Sequence, residues 1–275
     1  MNSLIYERSK HEAMTLPEAV DWLLSIGIIV LTTEELVALL KIPGNHLRFA
    51  MEPFIKKKMI ITPFRGFWMP VSSEDRKWGA PKDLGFFDTL MRYAKYDYFL
   101  SWMTAAEIFG VFEQKKPIVH AATAKAVGRR KIGRTDFKFT LSSNVGILPT
   151  FRHDTQTGAV NVTTRAATML NVAHCTSNVS GLNNAVTILI RLSETDEDFI
   201  SELAAYSYLF PMSVLRRIGW VLENFTDVRG LDALAEISQK SEVKRSCIST
   251  RNPVVISKID KRWSLSINDT IKPSV

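Results

Sequence analysis

The chain has 275 residues, room for two domains, and its composition (46% hydrophobic, 10% aromatic) is that of a globular protein able to fill a core. A formal net charge of +7 and a pI of about 9.4 favour a polyanionic partner. Two cysteines, Cys175 and Cys247, without a CxxC fit a reduced, cytoplasmic setting, and the N-terminus lacks the pattern of a signal peptide.

Met1 to Thr15 is polar and expected to pack loosely. Leu16-Pro17-Glu18 opens a helix with Pro where its missing amide is harmless. Ala19, Val20, Leu23, Leu24 and Ile26 give that helix an apolar face, and Gly27 ends it. The apolar run Trp22 to Leu31 is too short to span a bilayer. Thr32 and Glu35 form a capping box for a second helix striped by Leu36, Leu39 and Leu40. Ile42-Pro43-Gly44-Asn45 breaks it. A third helical segment follows, with Leu47, Ala50, Met51, Phe54 and Ile55 at three- and four-residue spacing. Extended runs at Ile60 to Pro63 and Phe67 to Val71 around Arg65-Gly66 predict a hairpin. Helix, turn, helix, hairpin is the order of a winged helix-turn-helix.

The cations of this stretch follow the elements that would meet DNA. From Lys41 to Arg65 there are six, against the single anion Glu52. Asn45, His46 and Arg48 fall on the polar face of the third helix, in reach of base edges or phosphates. Lys56, Lys57, Lys58 and Arg65 suit phosphates, which give affinity and little sequence information. Two residues depart from the usual pattern. Pro53 inside the recognition helix predicts a short or kinked helix, and Lys58 stands where Gly is common before the wing.

Ser72 to Gly85 is polar, aperiodic and contains Gly and Pro, so the expected organisation is a DNA-binding domain at 1–71, a linker at 72–85 and a larger C-terminal domain at 86–275. Within the last, helices are expected at Phe86 to Phe99 and at Thr104 to Gly110, the second capped at Thr104 by a box closing on Glu107. Strands are expected at Pro117 to Ala122, Asp136 to Leu141 and Val160 to Val162. Further helices run from Thr164 to His174, Glu197 to Tyr208, Ser213 to Phe225 and Leu231 to Ser238, before extended runs at Val254 to Ile256 and Arg262 to Ile267. Helices and strands mix without βαβ alternation, so the fold class is α+β. Between Lys115 and Lys138 eight cations face one anion, Asp136. Lys125, Arg129, Arg130, Lys131 and Arg134 form the centre of this patch, either a solvated loop or a surface for nucleic acid or an acidic partner.

Residues 128–135 nearly form a phosphate loop, but Arg replaces the required Lys and a strand, not a helix, follows. Asp136-Phe137-Lys138 has the D-x-K form of a nuclease metal site, yet no acid lies between Gln114 and Thr135 to complete it. The histidines and cysteines make no ligand or nucleophile spacing, so no catalytic, cofactor or metal residue is assigned. A winged-helix-targeted nuclease and a nucleic-acid or protein interaction module remain the alternative readings.

The ordered features resemble the AbiEi family, the antitoxin and regulator half of abortive-infection toxin–antitoxin operons. The likeness rests on the wing Arg65-Gly66-Phe67-Trp68 and the segments Thr104 to Gly110 and Ile118 to Ala122. It continues through Val162 to Leu170, Leu215-Arg216-Arg217-Ile218-Gly219-Trp220-Val221-Leu222, and Arg262-Trp263 with Ile267-Asn268. The resemblance implies a non-enzymatic repressor that binds inverted repeats in double-stranded DNA through its winged domain. It also implies a second domain that counters a nucleotidyltransferase-type toxin, with no cofactor and no membrane.

Overall fold

The computed structural model describes residues 2–81, 84–113, 118–195, 198–242, 245–250, 252–253 and 258–274. The first elements are α1 (Ser3–Ser9), α2 (Leu16–Ser25), β1 (Leu31–Thr32), α3 (Thr33–Leu40), α4 (Gly44–Lys56), β2 (Ile60–Ile61), β3 (Phe67–Pro70) and α5 (Gly85–Tyr93). The capping boxes at Thr15 and Thr32 start α2 and α3 as their sequences require. β1, β3 and β2 form a three-stranded sheet in that order, with Leu31 opposite Trp68 and Ile61 opposite Met69. Ala19, Leu23, Leu36, Leu39, Leu47 and Met51 close one core beneath it.

The polar start is not loose. Asn2 caps α1 by accepting the Leu4 amide at 2.9 Å, and Ile5 is fully buried in the same core. Glu35 explains why. Its carboxylate is 1% exposed and accepts the Thr32 amide at 2.8 Å and the Asn2 amide at 2.7 Å. One side chain thus starts α3 and ties down the beginning of the chain. Glu35→Ala is expected to cost about 2 kcal/mol, since it strands two part-buried amides. Urea unfolding measures the loss, and amide exchange in α1 should quicken with it. A variant as stable as the parent would remove Glu35 from this role.

The remaining elements are β4 (Tyr98–Leu100), α6 (Trp102–Ile108), β5 (Ile118–Thr123), β6 (Arg130–Ile132), β7 (Thr135–Leu141), β8 (Thr150–Thr155), β9 (Gly158–Thr163), α7 (Arg165–His174), α8 (Leu182–Ser193), α9 (Phe199–Tyr206), α10 (Met212–Phe225), α11 (Asp232–Gln239), β10 (Ser246–Cys247), β11 (Ile259–Asp260) and β12 (Leu265–Ser266). Two compact units result. One comprises Met1–Tyr96, Gly128–Lys138 and His153–Val160; the other comprises Asp97–Val127, Phe139–Arg152 and Asn161–Val275. The division therefore falls within β7, β8 and β9 and not at the expected linker. Ser72 to Gly79 is a coil of turns, with the Asp75 amide on Ser72 Oγ at 3.2 Å and the Trp78 amide on the Asp75 carbonyl at 2.8 Å. Buried Ala80 follows it inside the first unit. Polarity suggested a linker here, but Trp78 and Ala80 supply enough apolar surface to pack it.

In the second unit β4 pairs antiparallel with β5 and parallel with β9, Leu100 lying opposite both Ala121 and Val162. Helices α6 to α11 build the core beside these strands, so the unit is α+β as expected. Two local expectations change. The helix expected to reach Phe99 stops at Tyr93, because Lys95 takes a φ of 57° and Tyr98 to Leu100 turn into strand. Thr104 is not a cap: Ser101 holds that position, and Thr104 is buried with its hydroxyl accepting the His120 amide at 2.8 Å. The runs Val254 to Ile256 and Gln114 to Pro117, with Lys115 and Lys116, lie outside the described residues.

The segments that carry the family resemblance have structural work in this unit. Arg217 donates to the Ala173 carbonyl at 3.0 Å, covering an acceptor in the last turn of α7, and to the Cys247 carbonyl at 3.1 Å. Asn268 exchanges two hydrogen bonds with the Ser249 backbone, at 3.0 and 2.9 Å. Thr164 caps α7, and its hydroxyl also donates to the Glu202 carboxylate.

Candidate nucleic-acid interface

Helix α4 separates its faces cleanly. Leu47 and Met51 are each 1% exposed and face the core, with Ala50, Phe54 and Ile55 partly buried beside them. Asn45, His46, Arg48 and Glu52 are all exposed, as their spacing required. Phe49, which the apolar stripe does not include, is 80% exposed among them. A phenyl ring held in water on an otherwise polar helix face suits contact with a thymine methyl group.

Pro53 neither shortens nor splits α4, which runs on to Lys56. The carbonyl that proline leaves without a donor belongs to Phe49, on the exposed side where water can replace it. Hydrogen bonding resumes at once, the Lys57 amide meeting the Pro53 carbonyl at 3.1 Å. No side chain caps the other end of the helix, where Pro43 and Gly44 begin it. The His46 and Leu47 amides both return to the Pro43 carbonyl, at 2.9 and 3.1 Å.

Lys56, Lys57, Lys58 and Arg65 are exposed. Lys56 is engaged already, 2.9 Å from Glu52 one turn back. The hydrogen bond from Lys56, its charge and the charge of Arg48 hold the Glu52 carboxyl below the usual carboxylate range. Lys57 and Lys58 lead into the wing with charges free of such a neighbour on α4. Lys58 has a φ of 55°, the left-handed conformation that a glycine would take without strain. Gly66, at φ 87°, turns the wing, and its carbonyl accepts the Thr33 amide at 2.9 Å. Trp68 fixes the wing to α3 through its indole N–H, 3.0 Å from Thr33 Oγ1.

The basic patch is divided between the units. Lys125 belongs to the second, whereas Arg129, Arg130, Lys131 and Arg134 lie on the β6–β7 hairpin of the first. All five are exposed. Arg129 is 3.1 Å from Asp136, so the acid of the D-x-K pattern is already neutralised by an arginine. Among the described residues no group of three His, Cys, Asp or Glu is placed to hold a metal ion. No helix among them is long and apolar enough to cross a membrane.

Residues 99–224 match the family model of the AbiEi antitoxin C-terminal domain. The fold is similar to the crystal structure of the RV2827C protein from Mycobacterium tuberculosis, with a TM-score of 0.61, 13% sequence identity and 92% of each chain covered. At that identity the likeness is one of fold alone. Among curated proteins, none matches the chain.

Proposed function

We propose, on the match of residues 99–224 to the AbiEi antitoxin C-terminal domain, that the chain is both the antitoxin and the autorepressor of a toxin–antitoxin operon. In this reading the first unit is a winged helix-turn-helix that binds inverted repeats in the operator. The second counters a nucleotidyltransferase-type toxin, and the chain works in the cytoplasm without catalysis of its own. The observation that supports DNA binding is the exposed face of α4, with Asn45, His46, Arg48 and Phe49 on it and Lys57, Lys58 and Arg65 beside it. A helix with polar and aromatic groups at its surface, flanked by phosphate-seeking cations, is what the major groove accepts.

The test uses the full chain and DNA from upstream of its own gene. Lys57→Ala with Arg65→Ala should weaken binding to every sequence alike and flatten the log–log salt slope by about 1.8, at about 0.9 per phosphate contact. Arg48→Ala should instead reduce the preference for upstream DNA over mixed sequence, by about 1–3 kcal/mol. Variants that leave both the slope and the preference unchanged would refute the interface. The antitoxin half is read in cells, where co-expression should restore growth halted by a nucleotidyltransferase encoded beside the gene. Absence of rescue counts against that toxin class.

A further inference from the structure

The β6–β7 hairpin stands far from the winged elements in sequence but is built onto them. Gly133, at φ 60°, forms its turn so close to the coil after the wing that an added Cβ would meet Ala80 Cβ at 2.7 Å and the Trp78 carbonyl oxygen at 2.8 Å. Gly79 opposes it: a Cβ there would come within 3.5 Å of both Gly133 Cα and Lys58 Cδ. The turn of the hairpin therefore lies beside Lys58, at the start of the wing. Arg130 sits over the ring of Phe64, 5.4 Å from its centroid and next in sequence to wing-tip Arg65. Arg134 sits over Trp78 at 4.8 Å. From the other side Phe137 stacks on Phe87 with centroids 5.2 Å apart and meets Phe86 edge-on at 6.1 Å.

Phe137, 1% exposed, packs the hairpin into the first unit, and that packing does not need a row of cations. An arginine laid over an aromatic face has its stem ordered and N–H groups left for an anion. Arg130 donates through Nη1 to the Arg129 carbonyl at 3.2 Å and has further donors besides. We infer that the β6–β7 hairpin is a second wing, which places Arg130, Lys131 and Arg134 on the phosphates of duplex DNA alongside the contacts of Lys58 and Arg65. Arg129 is left out because Asp136 holds it. The inference rests on the DNA-binding reading of the first unit and extends its surface beyond the helix-turn-helix.

The experiment measures binding of the full chain to a fluorescent mixed-sequence duplex of about 30 bp as salt is raised. Replacing Arg130, Lys131 and Arg134 together by Gln keeps their stems and removes three charges. The expected result is a salt slope flatter by about 2.7 and a shorter protected footprint on upstream DNA. Gly133→Ala keeps every charge but drives the turn off Ala80 and Trp78, so it should also flatten the slope while the fold persists. Arg130→Lys with Arg134→Lys should retain the slope. Equal slopes for the parent, the Gln triple variant and Gly133→Ala overturn the second wing. So does a triple variant that loses only binding to tRNA or to polyglutamate, which would assign the hairpin to another partner. A parent that fails to bind any duplex removes the underlying reading and this inference with it, and is distinguished from the other outcomes by that failure.

Discussion

A single methyl group at Gly219 is expected to destabilise the second unit severely. Gly219 lies in the middle of α10, where helix propensity alone favours alanine by about 0.5–1 kcal/mol. Packing reverses that sign. An added Cβ would sit 2.1, 2.2 and 2.5 Å from three ring carbons of Trp263. The ring has no room to withdraw: Trp263 is fully buried, its indole N–H is 2.7 Å from Glu223 Oε2, and its amide is 2.9 Å from Asp260 Oδ1. Overpacking a rigid core costs about 1–3 kcal/mol and occasionally more. With one aromatic face locked against the helix backbone, Gly219→Ala belongs at about 3 kcal/mol or above. Thermal and urea unfolding would register the loss, and Trp263→Leu in the same chain should recover part of it through the shared contact. An alanine variant that melts at or above the parent temperature would contradict this packing.

Arg216, one turn before Gly219 on the same helix, carries the second large effect. It is 1% exposed and fans its guanidinium across two neighbours: Nε to Ser238 Oγ, Nη2 to the Ser238 carbonyl and Nη1 to Ser246 Oγ, each at 3.1 Å. These bonds fasten α10 to the end of α11 and to β10. Arg216→Ala removes them, strands their acceptors and opens a cavity, so a loss of about 3–5 kcal/mol is expected. Arg216→Met should cost clearly less, because it refills the space without burying a charge. If both substitutions cost the same, the hydrogen bonds rather than the volume are what the fold requires. If neither costs more than about 1 kcal/mol, Arg216 does not fasten these elements at all.

These two residues also show what a sequence discloses and what it hides. Arg216 and Gly219 are visible as part of a family-like segment, yet the reason for the glycine is a tryptophan that arrives only at Trp263. Local signals were legible. Thr32 with Glu35 and Thr164 before α7 start helices because the deciding atoms lie within one turn. The face of α4 was legible for the same reason, and Asn45, His46 and Arg48 are exposed as its periodicity demands. Helix α8 was not. It buries Ala185, Val186, Thr187, Ile188, Leu189, Ile190 and Leu192, and a helix covered on nearly all sides leaves no stripe to find. Its β-branched run reads as readily as strand. The allegiance of the basic hairpin was hidden most deeply. Charge density marked Arg129 to Arg134 as a surface, but Phe64 and Trp78, which hold it, lie far upstream. Phe49 was missed because an apolar residue outside the stripe carries no periodic signal.

A first unit drawn from three stretches of chain sets an order on its birth. The ribosome finishes helix α4 early, yet the hairpin Gly128–Lys138 and the segment His153–Val160 are still to be translated when Tyr96 emerges. At about 5–20 residues per second, the 64 residues from Tyr96 to Val160 take roughly 3–13 s. During that interval Phe86 and Phe87 wait without Phe137, and the coil around Trp78 lacks the turn it packs against. A nonsense mutation between Tyr96 and Gly128 would therefore not release a finished first unit. Grafting residues 1–96 onto another protein should transplant an incomplete one. Ribosome-bound chains stalled before and after Val160 would reveal the difference as a step in protease resistance of the first 96 residues.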